Sequence, residues 1–158
     1  GLRGVKLHPD FQLFQIDCPR MDAIYEVITE LELPVIVHAG DKRYDFSGPK
    51  RIAHVLEKHP KIELIAAHFG GYSEWENSME HLVGKKVWFD TSSSLFSLPV
   101  ETANKMIRDH GYEKFLFGSD FPMWDHEGEL ERFNKLDLTA EMRDAILYKN
   151  ALRLLKEE

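Results

Sequence analysis

Phe115-Leu-Phe-Gly-Ser-Asp120-Phe-Pro122 is a short apolar run that stops at an acid, with a proline just beyond it. The run reads as a buried strand, and Pro122 cannot continue its ladder of hydrogen bonds. A carboxylate at the end of such a strand needs an ion pair, hydrogen-bond donors or a metal, because an isolated buried charge is too costly. Asp120 therefore requires a partner elsewhere in the chain.

Four similar runs precede it: Gly4 to His8, Val35 to Gly40, Ile62 to Phe69 and Val87 to Ser92. A segment of helical spacing follows each. Asp17-Cys18-Pro19 supplies a capping acid and a helix-opening proline, and Ile24, Val27, Ile28 and Leu31 then define one apolar face. Ile52, Val55, Leu56 and His59 form the next face, Trp75, Ser78, Met79 and Leu82 the third, and Ala103, Met106, Ile107 and His110 the fourth, stopped by Gly111. A Phe- and Gln-rich loop is expected after the first strand. A loop holding Trp124, Asp125 and His126 is expected after the last, before a helical run from Thr139 to about Leu155.

Apolar strands alternating with amphipathic helices predict an α/β fold with a parallel sheet. An open doubly wound sheet and a (β/α)8 TIM barrel both fit. No glycine-rich phosphate loop follows the first strand, whereas polar groups at nearly every strand end favour the barrel. A barrel has eight strands in about 250 residues, so five strands in 158 residues correspond to an incomplete barrel, read as one domain over 1–158. The first strand begins close to Gly1 with no helix before it, and further residues are expected upstream. Open sheet edges would invite pairing or homo-oligomerisation.

Composition narrows the function. The chain is 43% hydrophobic and 30% charged, with a formal charge of -7, which argues against nucleic acid as a partner. Cys18 is the single cysteine and excludes an internal disulfide. No apolar run suits a membrane span, and a cytoplasmic location is expected.

Side chains alternate along a strand, which places His38 on a face with Ile36, His68 with Ala66 and Leu64, and Asp120 with Gly118 and Leu116. Two imidazoles and a carboxylate converging on one mouth form a donor set for a borderline metal with room for water. Asp120's second oxygen could take that water's proton.

Lys6-Leu-His8-Pro9, Pro34-Val-Ile-Val-His38-Ala-Gly40, Ala67-His68-Phe-Gly-Gly71, Phe89-Asp90-Thr-Ser-Ser93, Phe117-Gly-Ser-Asp120-Phe-Pro122 and Asn150-Ala-Leu-Arg-Leu-Leu155 together resemble successive motifs of the amidohydrolase superfamily. The branch most similar is the amidohydrolase-related family that includes aminocarboxymuconate-semialdehyde decarboxylase. The resemblance implies a metal-dependent barrel of which this chain covers strands four to eight. It implies His38 and Asp120 as metal ligands, with zinc first in line and manganese or another divalent ion as alternatives. His68 and Asp120 would be catalytic, His68 polarising or protonating the reacting group. Lys6 is read as a contact to an anionic substrate or an internal ion pair, and His8 and Trp124 as further substrate contacts. The implied activity is hydrolysis of a small carboxylate or carbonyl compound by metal-activated water, or non-hydrolytic decarboxylation. The family's His-x-His or Glu-x-His strand has no counterpart here. Two metal ligands would then come from an N-terminal barrel segment, and the chain alone could be an inactive scaffold.

Overall fold

A computed structural model describes residues 1–157. Five parallel strands, β1 (Val5–Leu7), β2 (Val35–Val37), β3 (Leu64–Ala66), β4 (Trp88–Asp90) and β5 (Phe115–Leu116), lie in the order in which the chain makes them. A sheet wound in one direction has no point at which the strand order reverses, the feature that defines the doubly wound alternative. The architecture is an incomplete (β/α)8 barrel.

Register fixes which face each residue serves, because aligned residues of neighbouring parallel strands point the same way. Val35 is aligned with Leu64 and Val37 with Ala66, and these residues join Leu7, Phe89 and Phe115 in the core beneath the helices. The opposite face carries Lys6, Ile36, Ile65 and Trp88, followed by Asp90 and Leu116.

The helices that cover the core are α2 (Asp22–Glu30), α3 (Pro49–Lys58), α4 (Trp75–His81), α5 (Val100–His110), α6 (His126–Phe133), α7 (Ala140–Asp144) and α8 (Asn150–Leu155), after a one-turn α1 (Pro9–Gln12). A single π-type turn, Ala145–Lys149, joins α7 to α8. Glycine ends α5 as its sequence predicts, with Gly111 at φ 98°. Thr139 caps α7 by accepting from the Met142 amide at 3.2 Å. Beneath the strand starts, Arg3 bonds the Leu155 carbonyl at 2.7 Å and Lys156 pairs with Glu32, so the tail of α8 ties the last unit to the first.

Four expectations from sequence are corrected. The stretch after β1 is not all loop, since Pro9 starts α1. Asp17 caps no helix; its carboxylate takes Arg51 and His54, and Cys18 leads into a 3-10 turn before α2. On α2 the buried stripe is Tyr25 and Ile28, while Ile24, Val27 and Leu31 are 45%, 52% and 62% exposed. Tyr25 wins the core position because its hydroxyl finds the Ile16 carbonyl at 2.7 Å and its ring meets His59 edge-on. Finally, Asp125 opens an unexpected helix, α6, by accepting from the Gly128 amide at 2.7 Å. No helix of the described residues is long and apolar enough to cross a membrane.

His110 shows how a core imidazole is satisfied. The Gly84 amide donates to Nδ1 at 3.0 Å, Nε2–H donates to the Val87 carbonyl at 2.9 Å, and the ring stacks on Phe89. This is the neutral tautomer, and burial pushes the His110 pKa down, with the Val87 bond opposing and Lys114 assisting. A histidine depressed in the folded state stabilises the fold above its unfolded pKa of about 6.5 and loses that contribution as pH falls below it. Urea unfolding at pH 7.5 and 5.5 should show a stability loss on acidification that shrinks in His110→Phe, where no group remains to be protonated.

Candidate functional site

The site lies beyond the carboxyl ends of the strands, where the chain repeatedly leaves regular backbone. Asp41, His68, Phe69, Ser93 and Asp120 all have positive φ without being glycine, a conformation costing about 1–2 kcal/mol per residue for L side chains. Glycine supplies the tightest crossing. At Gly40 φ is 77° and an added Cβ would lie 2.8 Å from the Gly71 backbone. The loops after β2 and β3 are thus pressed together, with the Tyr72 amide on the Ala39 carbonyl at 2.6 Å.

Three imidazoles converge there. His8 stacks on His38 with ring centroids 4.2 Å apart, and His38 Nδ1 lies 2.9 Å from His68 Nε2. Burial drives the His38 pKa down to about 3, with the neighbouring His68, His8 and Lys6 adding to it and Asp41 opposing. His38 is therefore a neutral imidazole, the form that ligates metals. His8 is lowered chiefly by burial and then by Lys6; Lys6 is lowered by desolvation while Asp90 and Asp120 pull it back up. Lys6, His8 and Asp120 thus feel one another's charge across the mouth.

His68 is fixed from behind. Its Nδ1 lies 3.0 Å from the Ser92 carbonyl and 3.0 Å from Ser92 Oγ. A carbonyl only accepts, so Nδ1 carries hydrogen. Asp90 Oδ1 accepts from the His68 amide at 2.9 Å, the Ser92 amide at 3.0 Å and Ser92 Oγ at 2.6 Å. Trp75 Nε1 donates to the His68 carbonyl at 3.1 Å.

Strand alternation does not place His68. Leu64 and Ala66 point into the helix-side core with Val35 and Val37, and His68 reaches His38 only because residues 68 and 69 turn through left-handed conformations, with φ 62° and 54°. Nor is Asp120 the buried charge expected at a strand end. Asp120 is exposed, and Ser93 Oγ donates to its Oδ2 at 2.6 Å. Trp124 is engaged with its own neighbours, stacked on Phe96 at 4.8 Å with the Arg132 guanidinium 5.0 Å from its ring.

Two acids that strand reasoning passes over complete the surroundings of His38. Asp10, in α1, is buried, its Oδ2 lies 3.4 Å from His38 Nε2, and neither of its oxygens has a hydrogen-bond partner. Burial, then Asp41, raises its pKa to about 6. Asp41 is also buried and is held by Arg43 at 2.6 Å. Asp10, His38 and Asp41 each offer a donor atom, all within 4.8 Å of one another. An orphaned carboxylate facing a neutral imidazole fits a cation. The sequence signal was present in His8-Pro9-Asp10, where a proline turn throws the acid back over the strand end.

A barrel wall with imidazoles and carboxylates gathered at the carboxyl ends of its strands is the architecture of a barrel enzyme's active-site side. The amidohydrolase family model matches residues 1–156, and the chain belongs to that family. Solved structures of similar fold include a TIM-barrel protein from Bordetella bronchiseptica, 22% identical with a TM-score of 0.70 over 90% of this chain. A dihydroxybenzoic acid decarboxylase from a Polaromonas species, with bound manganese and an inhibitor, is 17% identical with a TM-score of 0.68 over 90%. A Pseudomonas putida protein assigned as 2-pyrone-4,6-dicarboxylic acid hydrolase is 21% identical with a TM-score of 0.71 over 99%. This chain spans 52%, 55% and 64% of their respective lengths.

Proposed function

We propose that this chain carries the metal-binding and proton-transferring side of a divalent-metal-dependent enzyme that hydrolyses a small, planar ring carboxylate or carbonyl compound. The observation that carries the reading is the meeting of His38 and His68 at 2.9 Å in a mouth that also holds Lys6, His8 and Asp120. His38 and Asp120 would hold the ion, zinc or manganese, which when bound supplies a Lewis acid and a water acidified toward neutrality.

The remaining chemistry belongs to side chains. Asp120, exposed and fixed at one oxygen by Ser93, has its other oxygen available to accept a proton from the nucleophile. His68, with Nδ1–H committed to Ser92, takes a second proton on Nε2 and in that doubly protonated form donates it to the oxygen on which charge develops or to the carbon that must be protonated. Lys6 gives the substrate carboxylate a cationic partner. His8 presents a ring face beside His38 for stacking a planar substrate. Trp124 would form the outer wall with Phe96.

Decarboxylation uses the same residues, and the fold shared with a decarboxylase keeps it as the second reading. Incubation of the metal-loaded protein with pyrone and dihydroxybenzoate carboxylates in ¹⁸O-labelled water separates the two. Label in the organic product identifies hydrolysis. Carbon dioxide release with no label in that product identifies decarboxylation. Stoichiometric metal with no turnover of either class overturns both and leaves the chain a scaffold.

A further inference from the structure

An imidazole that binds a metal through one nitrogen carries its hydrogen on the other, and that hydrogen needs an acceptor. At His38 the two ring nitrogens face different surroundings. Nδ1 lies 2.9 Å from His68 Nε2, on the side where the consecutive residues Ser92 and Ser93 hold His68 and Asp120. Nε2 lies 3.4 Å from Asp10 Oδ2, on the side of α1. An ion that His38 shares with Asp120 is therefore bonded through Nδ1, and the remaining ring hydrogen sits on Nε2, against Asp10.

Asp10 has the acceptor capacity to take it. The residue is 6% exposed and neither of its oxygens has a hydrogen-bond partner, an arrangement that costs free energy until a donor is found. Asp41, the other buried acid beside His38, is already occupied: Oδ1 accepts from the Arg43 amide at 2.9 Å and from Arg43 Nε at 3.0 Å, and Oδ2 from the guanidinium at 2.6 Å. Asp10 is also carried on a rigid turn. Pro9 opens α1, the amides of Phe11 and Gln12 donate to the His8 carbonyl at 3.1 and 2.9 Å, and Gln12 Oε1 accepts from the His8 amide at 2.7 Å. The His8 ring is packed between Phe11 and His38, with centroids 3.9 and 4.2 Å away. The turn that bears the carboxylate is thus seated directly on the ring beside it.

We infer that Asp10 is a positioning residue: it accepts the Nε2–H of His38 and so aims Nδ1 at the ion that His38 and Asp120 hold, touching neither ion nor substrate itself. The inference rests on the reading of His38 as a metal donor and adds the group that orients it. Closing the 3.4 Å separation to a charge-assisted hydrogen bond takes about 0.5–0.7 Å. A carboxylate in this place fixes the tautomer and the ring plane and makes Nδ1 a stronger donor. The acidic corner around His38 then answers the cation through the ring.

Zinc-loaded protein labelled with ¹⁵N at histidine, compared with Asp10→Asn, Asp10→Ala and His38→Gln by titration calorimetry and by NMR of the imidazole nitrogens, tests this. The signals missing from His38→Gln identify the ring. Its hydrogen is expected on Nε2, with a proton resonance that moves upfield in Asp10→Asn, where a neutral amide oxygen replaces the carboxylate. Zinc affinity should fall about 10–100-fold in Asp10→Ala, and less in Asp10→Asn, which keeps an acceptor. If Asp10→Ala does not fold, the resonance in Asp10→Asn, which matches aspartate in size, decides alone. A hydrogen on Nδ1 overturns the inference. A loss in Asp10→Ala as complete as in His38→Gln makes Asp10 a ligand and overturns it too. An unmoved resonance with unchanged affinity in the Asp10 variants overturns it while leaving the proposed function in place, whereas an unaltered chain that binds no zinc overturns both.

Discussion

His68→Asn should cut turnover about 10²–10⁴-fold, the range associated with a positioned proton donor or acceptor, while leaving metal affinity within a fewfold of the unaltered chain. Asparagine is chosen because His68 sits at φ 62°, and asparagine tolerates left-handed backbone better than alanine does. Folding is thereby decoupled from chemistry. The variant removes Nε2, the atom offered to the reacting group, and leaves His38, Asp10 and Asp41 unaltered. If His68 instead served as a metal ligand, affinity and turnover would fall together. Calorimetry beside steady-state kinetics separates the cases, and an unchanged kcat would remove His68 from the mechanism.

How far the sequence foretold this arrangement depended on how local the cause was. The parallel sheet and its strand order were legible because each apolar run is short, each helix period is sustained, and both signals arise within a few residues of chain. His38 was legible for the same reason, lying one residue past a regular strand. His68 was singled out, but through alternation along β3, which the structure contradicts; two consecutive left-handed residues carry it to the site. The face of α2 was misread because Tyr25 counts poorly as an apolar residue until its hydroxyl finds the Ile16 carbonyl. α6 went unseen because His126-Glu-Gly-Glu carries no apolar stripe and rests on its Asp125 cap and Phe133. Asp10 and Asp41 were passed over because their grouping with His38 is made by a one-turn helix and a loop far apart in sequence. Strand ends announce themselves locally; the groups that surround them are set by tertiary turns.

The second large effect belongs to Asp90. One of its oxygens accepts from three donors, the amides of His68 and Ser92 and the Ser92 hydroxyl, all in buried surroundings. Through Ser92 it sets the ring tautomer of His68, and through the His68 amide it holds the left-handed turn. Asp90→Ala would strand those donors, each costing about 1–3 kcal/mol when left unpaired, so a stability loss of about 3–5 kcal/mol in urea unfolding is expected, at the high end for a single substitution. Asp90→Asn keeps an acceptor oxygen at the same place and should recover most of that loss. The kinetic pattern distinguishes positioning from bulk support: Asp90→Asn should fold normally with kcat lowered, since His68 is held less firmly, while KM moves less than kcat, since His8 is unaltered and Lys6 keeps Asp120 after losing the Asp90 charge. If Asp90→Asn and Asp90→Ala lose stability equally, the acceptor role is wrong. A normal kcat in a folded Asp90→Ala would show that His68 needs no such support, and the link between the β4 acid and the chemistry would fail.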